Sequence, residues 1–155
     1  MEKGIDFDEI RTKIEMYCSR AEHSAFSVRK KLFQWKVPAN DIGNIIQYLE
    51  QEGFIDERRY AMAFAHDRLK FGKCGRNKIR YELRGEQISD RFVAEALQSL
   101  DKQLYDDTLH DVAQGKLRTL SAFDRSTKSV KLTAFLLSRG FERELITKEI
   151  NNLLK

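Results

Sequence analysis

Residues 38–51 read PANDIGNIIQYLEQ, and this stretch decides the fold because its apolar side chains recur with the period of an α-helix. Four of them follow the spacing i, i+3, i+4, i+7 of a single helix face: Ile42, Ile45, Ile46 and Leu49. A stripe of this kind has to be buried against another element. The stretch therefore predicts an amphipathic helix that begins after the single proline and packs in a helical protein.

The same pattern returns twice further along the chain. At an offset of 51 residues the four positions are Val93, Ala96, Leu97 and Leu100. After a further 53 residues they are Ile146, Glu149, Ile150 and Leu153, so three of the four stay apolar. The preceding helix repeats at the same offsets in three pairs: Val28 and Leu32, Ile79 and Leu83, Leu132 and Leu136. The connections repeat as well, at Val37, Ile88 and Phe141. The sequence therefore predicts three copies of one helical unit.

Each copy is predicted to hold three helices, which makes the chain an all-α protein of three tandem three-helix repeats. The predicted domains are residues 1–52, 53–101 and 102–155, and the middle one carries the most specific sequence. A unit of about 50 residues buries little surface alone, so neighbours are expected to stack and share apolar faces. An elongated, curved array follows, and a compact bundle is the alternative.

The first helices of the three units are predicted at residues 10–20, 57–71 and 102–120. Asp6 and Glu9 have the spacing of a capping box, and Asp56 is a typical N-cap residue. Gly72 offers a place for the second of these helices to stop. Gly140 stands between the last two helices, where a left-handed turn residue is least costly.

Charge is distributed unevenly, although the formal net charge is only +4. Residues 56–84 hold nine basic and four acidic side chains, whereas residues 85–124 hold four basic and eight acidic ones. Residues 125–155 are basic again, with seven against three. This alternation predicts a polarised surface suited to a polyanion or to a partner of mixed charge.

The middle unit resembles the central signature of the RecX family. Its residues 53–61 read GFIDERRYA, and they are followed by Phe64, Arg68, Gly72-Lys73, Gly75-Arg76, Ile79 and Glu82-Leu83. The family pattern is a glycine, an aromatic, Leu or Ile, Asp, an acidic residue and an Arg-aromatic-Ala run, then an Arg-rich turn and a Glu-Leu helix. Residues 24–32 resemble the family's preceding helix. The chain departs from the pattern at Lys36 and Gln87, where a turn glycine is common in the family.

This resemblance implies a negative regulator of the RecA recombinase. Such a protein is expected to bind the RecA–DNA filament and to inhibit its extension, its ATPase and strand exchange, modulating recombinational repair and the SOS response. The expected partners are the RecA filament and, weakly and without sequence specificity, single- or double-stranded DNA. A cytoplasmic monomer with no membrane contact is expected.

The candidate binding surface comes from the residues themselves. Seven cations cluster around one helix–turn–helix connection: Arg68, Lys70, Lys73, Arg76, Lys78, Arg80 and Arg84. Arg76, Arg80 and Arg84 are spaced by four residues and are expected to share one side of a helix, while Ile79 and Leu83 face the core. The secondary basic positions are Arg29, Lys30, Lys31 and Arg58. An ordinary solvated surface is the alternative interpretation of such a run. Four aromatic residues could stack on bases, or belong to the core: Trp35, Tyr60, Phe71 and Tyr81.

Other functions find little support in the sequence. It has no Gly-rich phosphate loop and no Ser or Cys with an obvious base, so no enzyme and no catalytic residue is predicted. Cys18 and Cys74 lie far apart and outside any CxxC motif, so we expect neither a metal site nor a cofactor. The main rival function is a DNA-binding regulator of helix-turn-helix type that acts without RecA. A pure protein scaffold is the third possibility.

Overall fold

A computed structural model describes residues 6–155, and the described part of the chain consists of helices and their connections. The helices are α1 (Phe7–Arg20), α2 (Ala25–Gln34), α3 (Ala39–Gln51), α4 (Glu57–Lys70), α5 (Arg76–Gly85), α6 (Asp90–Gln98), α7 (Lys102–Arg118), α8 (Arg125–Ser138) and α9 (Arg143–Leu153). The predicted all-α repeat array is confirmed. The predicted boundaries of its three domains fall in the α3–α4 and α6–α7 connections, and the division into domains stays a prediction.

The second helix of each repeat ends in the same backbone turn. The second residue after the helix has a positive φ in all three copies: 63° at Lys36, 59° at Gln87 and 93° at Gly140. The next residue then donates its N–H to the carbonyl five residues back, in three bonds: Val37 to Leu32, Ile88 to Leu83 and Phe141 to Leu136. Val37, Ile88 and Phe141 are all buried. The sequence repeat therefore corresponds to a repeated turn that folds the third helix back onto the second.

Five of the helices begin with a side chain that caps the free backbone N–H groups of the first turn. The capping residues are Asp6, Ser24, Asp56, Asp101 and Asp124, and each accepts a hydrogen bond from a backbone amide two or three residues further on. The N-cap predicted at Asp56 is thus present, and at Asp6 the structure gives the bonds that the aspartate side chain accepts. Helix α1 begins three residues earlier than expected, because the cap at Asp6 sets its start.

The buried apolar residues form two separate groups. One contains the core side chains of α1–α3, among them Val28, Leu32 and Leu49. The other runs without a break through α4–α9 and includes Leu83, Leu136 and their neighbours. The expectation that neighbouring units share apolar faces thus holds for the second and third units, whereas the first unit has its own core.

Polar contacts join the first unit to the second. Glu86, at the end of α5, accepts hydrogen bonds from the hydroxyls of Ser24 and Ser27 at 2.5 and 2.7 Å. Arg59 on α4 forms an ion pair with Glu22 at 2.6 Å. These charged and hydroxyl groups would lose free energy if they were buried without partners, so they bond to one another at the junction. The apolar core is therefore interrupted between the first and the second unit.

The chain exposes more surface than a compact protein of its size. It has 9909 Å² of accessible surface, whereas about 8,100 Å² is expected for a compact monomer of 18.2 kDa. The excess agrees with an elongated array in which the units are stacked in chain order.

The start of α5 is fixed by the third unit and not by a capping side chain. The N–H of Gly75 donates to the carbonyl of Arg139 at 2.8 Å, and the N–H of Asn77 donates to that of Gly140 at 2.9 Å. A Cβ at Gly75 would lie 2.5 Å from the Gly140 carbonyl, so the approach requires glycine. The α8–α9 turn therefore positions the helix that carries most of the candidate cations.

Candidate basic surface

Helix α5 holds three of the candidate arginines in a row. Arg76, Arg80 and Arg84 lie on one side of it, and Ile79 and Leu83, on the adjacent side, are fully buried. The three arginines line a groove of about 510 Å³ between α5 and α6. The other residues of this groove are Asp90, Val93, Ala94, Leu97 and Gln98. The predicted sharing of one helix face is confirmed, and the groove can hold an anionic group against the guanidinium row.

Arg76 is engaged inside the protein. Its guanidinium forms an ion pair with Glu142 at 2.9 Å and lies 3.9 Å above the centre of the Tyr105 ring. The Tyr105 hydroxyl accepts the backbone N–H of Arg76 at 3.0 Å and itself donates to Glu142. Burial and this carboxylate raise the pKa of Tyr105 well above its ordinary value. The cluster joins α5 to the third unit, so Arg76 offers less charge to a partner than its position suggests.

Arg68 is also neutralised internally. Its guanidinium donates two hydrogen bonds of 2.8 Å to the two oxygens of Glu82, and these bonds raise the pKa of Arg68. Glu82 is two residues from Arg80 and from Arg84, so it points about 200° away from them around α5. Arg68 therefore holds α4 against α5 on the side away from the arginine row.

Arg84 is exposed and Arg80 is half-buried, and neither has a buried ion-pair partner in the described residues. Arg80 donates to the side chain of Asn77 at 2.8 Å and has no carboxylate within ion-pair distance in the described residues. Arg84 lies 3.3 Å from Asp90, but the two side chains are 59% and 83% exposed, so water screens their attraction. These two arginines are the members of the row best placed to bind an anion.

The three candidate lysines occupy different surroundings. Lys70 and Lys73 are exposed in and after the last turn of α4, and Lys73 has a left-handed backbone with φ of 55°. Lys78 is half-buried against Gly140 at the start of α5. The seven candidates thus lie around one connection, as expected, but they do not form one continuous row of free cations.

The secondary positions are divided too. Arg29 and Lys30 are exposed on α2, while Lys31 lies over the rings of Tyr17 and Trp35 at 5.5 and 5.9 Å. Arg58 forms an ion pair with Glu95 at 2.8 Å and packs on Phe92. Among these four, Arg29 and Lys30 are the exposed residues that form no ion pair in the described part of the chain.

The first unit has a groove at the position equivalent to the arginine groove. It lies between α2 and α3, has a volume of about 430 Å³, and Arg29 takes the place of Arg80 in it. Its lining residues are Phe26, Arg29, Lys30, Phe33, Gln34, Ala39 and Ile42. Equivalent positions of the repeat thus carry a mainly apolar groove in one unit and a cationic groove in the next.

The four aromatic candidates are also separated by the fold. Phe71 and Tyr81 are exposed, whereas Tyr60 and Trp35 are half-buried against the two cores. Burial, together with Glu86 and Glu82, raises the pKa of Tyr60 to about 12. Only Phe71 and Tyr81 present enough ring surface for stacking.

Three residues that hold the site together were not found by sequence reasoning. They are Tyr105 and Glu142, which engage Arg76, and Arg139, which donates to the carbonyls of Gly72 and Lys73. Each lies 29 or more residues from its partner, so no local pattern signals it.

None of the helices in residues 6–155 has the length and hydropathy needed to cross a bilayer.

Comparison with known proteins gives a consistent result. Residues 56–97 match the family description "RecX, second three-helix domain". A "Regulatory protein RecX" from Chlorobium phaeobacteroides is 32% identical over 136 residues, which are 86% of this chain and 86% of that protein. A protein of the same name from Clostridium botulinum is 35% identical over 122 residues, covering 77% of this chain. The chain spans only 56% and 52% of the lengths of the relatives from Clostridium botulinum and Clostridium tetani.

The fold has solved counterparts. The crystal structure of RecX from Lactobacillus salivarius superimposes with a TM-score of 0.83 over 94% of this chain and 95% of its own, at 21% identity. A second crystal structure, of a regulatory protein RecX, gives a TM-score of 0.81 over 98% of this chain at 19% identity. At these identities the likeness establishes the arrangement of the helices.

Proposed function

Because this chain belongs to the RecX family, we propose that it is a regulatory protein that restrains the RecA recombinase. It binds the RecA–DNA filament and inhibits filament extension, ATP hydrolysis and strand exchange, and so modulates recombinational repair and the SOS response. It is not an enzyme and acts as a monomer in the cytoplasm. The three predicted domains present successive surfaces to one long partner.

One observation carries the proposal beyond the family name. The family-like segment, residues 56–97, contains Arg80 and Arg84, which line a groove large enough to receive an anionic group. Guanidinium groups in a row suit phosphates, which they bind through paired hydrogen bonds. We therefore place the anion contact at Arg80 and Arg84, with Lys70 and Lys73 nearby. Arg68 and Arg76 serve mainly to hold α5 in position, through Glu82 and Glu142.

The test is a titration of RecA ATPase and strand exchange with this protein. Arg80→Glu combined with Arg84→Glu should raise the concentration for half-inhibition at least about tenfold, because attraction is replaced by repulsion at two contacts. Arg125→Glu with Lys131→Glu is the matched control, since it makes the same charge change on an exposed part of α8. Arg76→Glu is unsuitable, because it would set a second carboxylate beside Glu142. Equal inhibition by a folded Arg80/Arg84 variant and by wild type would remove this site.

A DNA-binding regulator that acts without RecA is the second candidate, supported by the same groove. Footprinting in the absence of RecA separates the two functions. A sequence-specific footprint would favour the DNA-binding regulator. Weak binding that falls steeply with salt, and is blind to sequence, would favour the RecA modulator, because phosphate contacts release counterions and carry no base information.

A further inference from the structure

The groove between α2 and α3 has the features of a protein-binding site. It encloses about 430 Å³, and its walls are formed mainly by the rings of Phe26 and Phe33 and by the side chains of Ala39 and Ile42. A cavity of this size accepts one or two large apolar side chains. The groove is open to solvent along α2, so a partner can reach it without a change in the fold.

Phe33 is exposed to a degree that the fold does not require. Its side chain is 75% exposed, and a large apolar side chain left in water gives up the free energy that burial would provide. The equivalent residue of the second unit is Arg84, and that unit packs in the same way. The aromatic ring at this position is therefore dispensable for packing, and its presence points to a contact with another molecule.

Two cations border the groove. Arg29 and Lys30 are exposed, and neither lies within ion-pair distance of a carboxylate in residues 6–155. The Lys30 ammonium sits 4.1 Å from the centre of the Phe26 ring, at the groove wall. The described lining contains no acidic residue, but Arg29 also borders a neighbouring pocket lined by three glutamates, so Lys30 is the less compensated of the two cations. A complementary ligand carries carboxylates next to its apolar anchor.

The lining favours a protein over a nucleic acid. Single-stranded nucleic acids bind where flat aromatic faces alternate with cations along an open path, and the phosphates need several donors in a row. In the groove of the second unit, Arg80 and Arg84 supply neighbouring guanidinium donors, whereas the lining of the first unit's groove is mainly apolar. Aromatic and arginine side chains around an apolar pocket are typical of the residues that dominate protein–protein affinity.

We propose that the α2–α3 groove binds an apolar side chain flanked by carboxylates on the surface of a RecA subunit, while the α5–α6 groove contacts the nucleic acid. The proposal rests on the function proposed above, which supplies the partner. Equivalent grooves of the first and second units thus differ in chemistry. The first unit recognises the protein of the filament, and the second unit recognises its nucleic acid.

The test measures binding to each component separately. Full-length protein is titrated with purified RecA in the absence of DNA, and with a thymidine oligonucleotide in the absence of RecA. Phe33→Ser should weaken the affinity for RecA at least about tenfold, because it removes an aromatic side chain that is buried in the complex. The affinity for the oligonucleotide should change by less than about twofold. Lys30→Glu should act in the same direction. Phe123→Ser removes an exposed phenylalanine of the α7–α8 connection and is the matched control. Circular dichroism confirms that each variant is folded.

Four results would overturn the proposal. Unchanged RecA affinity in both variants excludes the groove, although the proposed function would stand. Loss of oligonucleotide binding with RecA binding intact assigns the groove to nucleic acid. A change of oligomeric state in Phe33→Ser assigns it to a second copy of this chain. If the wild-type protein neither binds nor inhibits RecA, the proposed function is wrong. The groove proposal then fails as well, because RecA is its partner.

Discussion

Gly140→Ala should lower the free energy of unfolding by about 3 kcal/mol, because this residue lies where the third unit meets the start of α5. An alanine at φ of 93° carries backbone strain of about 1 to 2 kcal/mol. Its Cβ would lie 2.4 Å from the Cβ of Lys78, so the turn has to withdraw from α5. Withdrawal breaks the backbone hydrogen bonds of Gly75 and Asn77, each worth about 1 kcal/mol.

The chain provides its own matched control. Gln87 occupies the equivalent turn of the second unit with φ of 59°. Gln87→Gly relieves a left-handed strain of about 1 to 2 kcal/mol and adds about 0.5 to 1 kcal/mol of chain entropy in the unfolded state, so the variant should be more stable by about 0.5 kcal/mol. Gln87→Gly should thus raise the free energy of unfolding, whereas Gly140→Ala should lower it.

Urea denaturation followed by circular dichroism measures both changes. A loss of about 3 kcal/mol also corresponds to a fall in melting temperature of about 6 to 12 °C for a chain of this length. If Gly140→Ala came within about 1 kcal/mol of wild type, the turn would not be holding α5, and the account of how the basic surface is positioned would be wrong.

Two further predictions concern the cores and the effect of pH. Leu32→Ala should cost about 3 kcal/mol, since the side chain is fully buried. It should shift the unfolding transition reported by the fluorescence of Trp35 more than the transition reported by the far-UV ellipticity of the whole chain, to which α4–α9 contribute most of the helix. A shift of equal size in both signals would show that the two cores unfold together. The raised pKa of Tyr60 means that folding favours its protonated hydroxyl, so this stabilisation is complete below pH of about 10 and is lost as the pH rises towards about 12. Tyr60→Phe should make the decline of stability over that range shallower, and an identical decline in the variant would contradict the assignment.

The local features of the fold were predictable from the sequence. Helix faces, caps such as Asp6 and Asp56, and the row of Arg76, Arg80 and Arg84 depend on residues within about one or two helical turns. Their spacing in the chain fixes their spacing in space, because the helix has a constant rise and rotation per residue. The left-handed turn at Gln87 was also indicated, as a departure from a glycine position.

Charge availability was not predictable in the same way. The seven cations are equivalent in the sequence, but Glu82 neutralises Arg68 and Glu142 neutralises Arg76. Glu142 is 66 residues from its partner, and only the stacking of the third unit on the second brings the two together. Attraction between opposite charges depends on their separation in space and on their exposure to water, and the sequence reports neither.

The sequence by itself thus determined that this protein is a tandem array of helical units with one strongly basic connection, because the repeat and the helical periodicity depend only on the spacing of residues in the chain. Only the tertiary structure decided which cations face solvent, that the first unit keeps a separate core, and that equivalent grooves are apolar in one unit and cationic in the next. The physical reason is that burial, ion pairing and cavity shape arise from contacts between residues far apart in the chain.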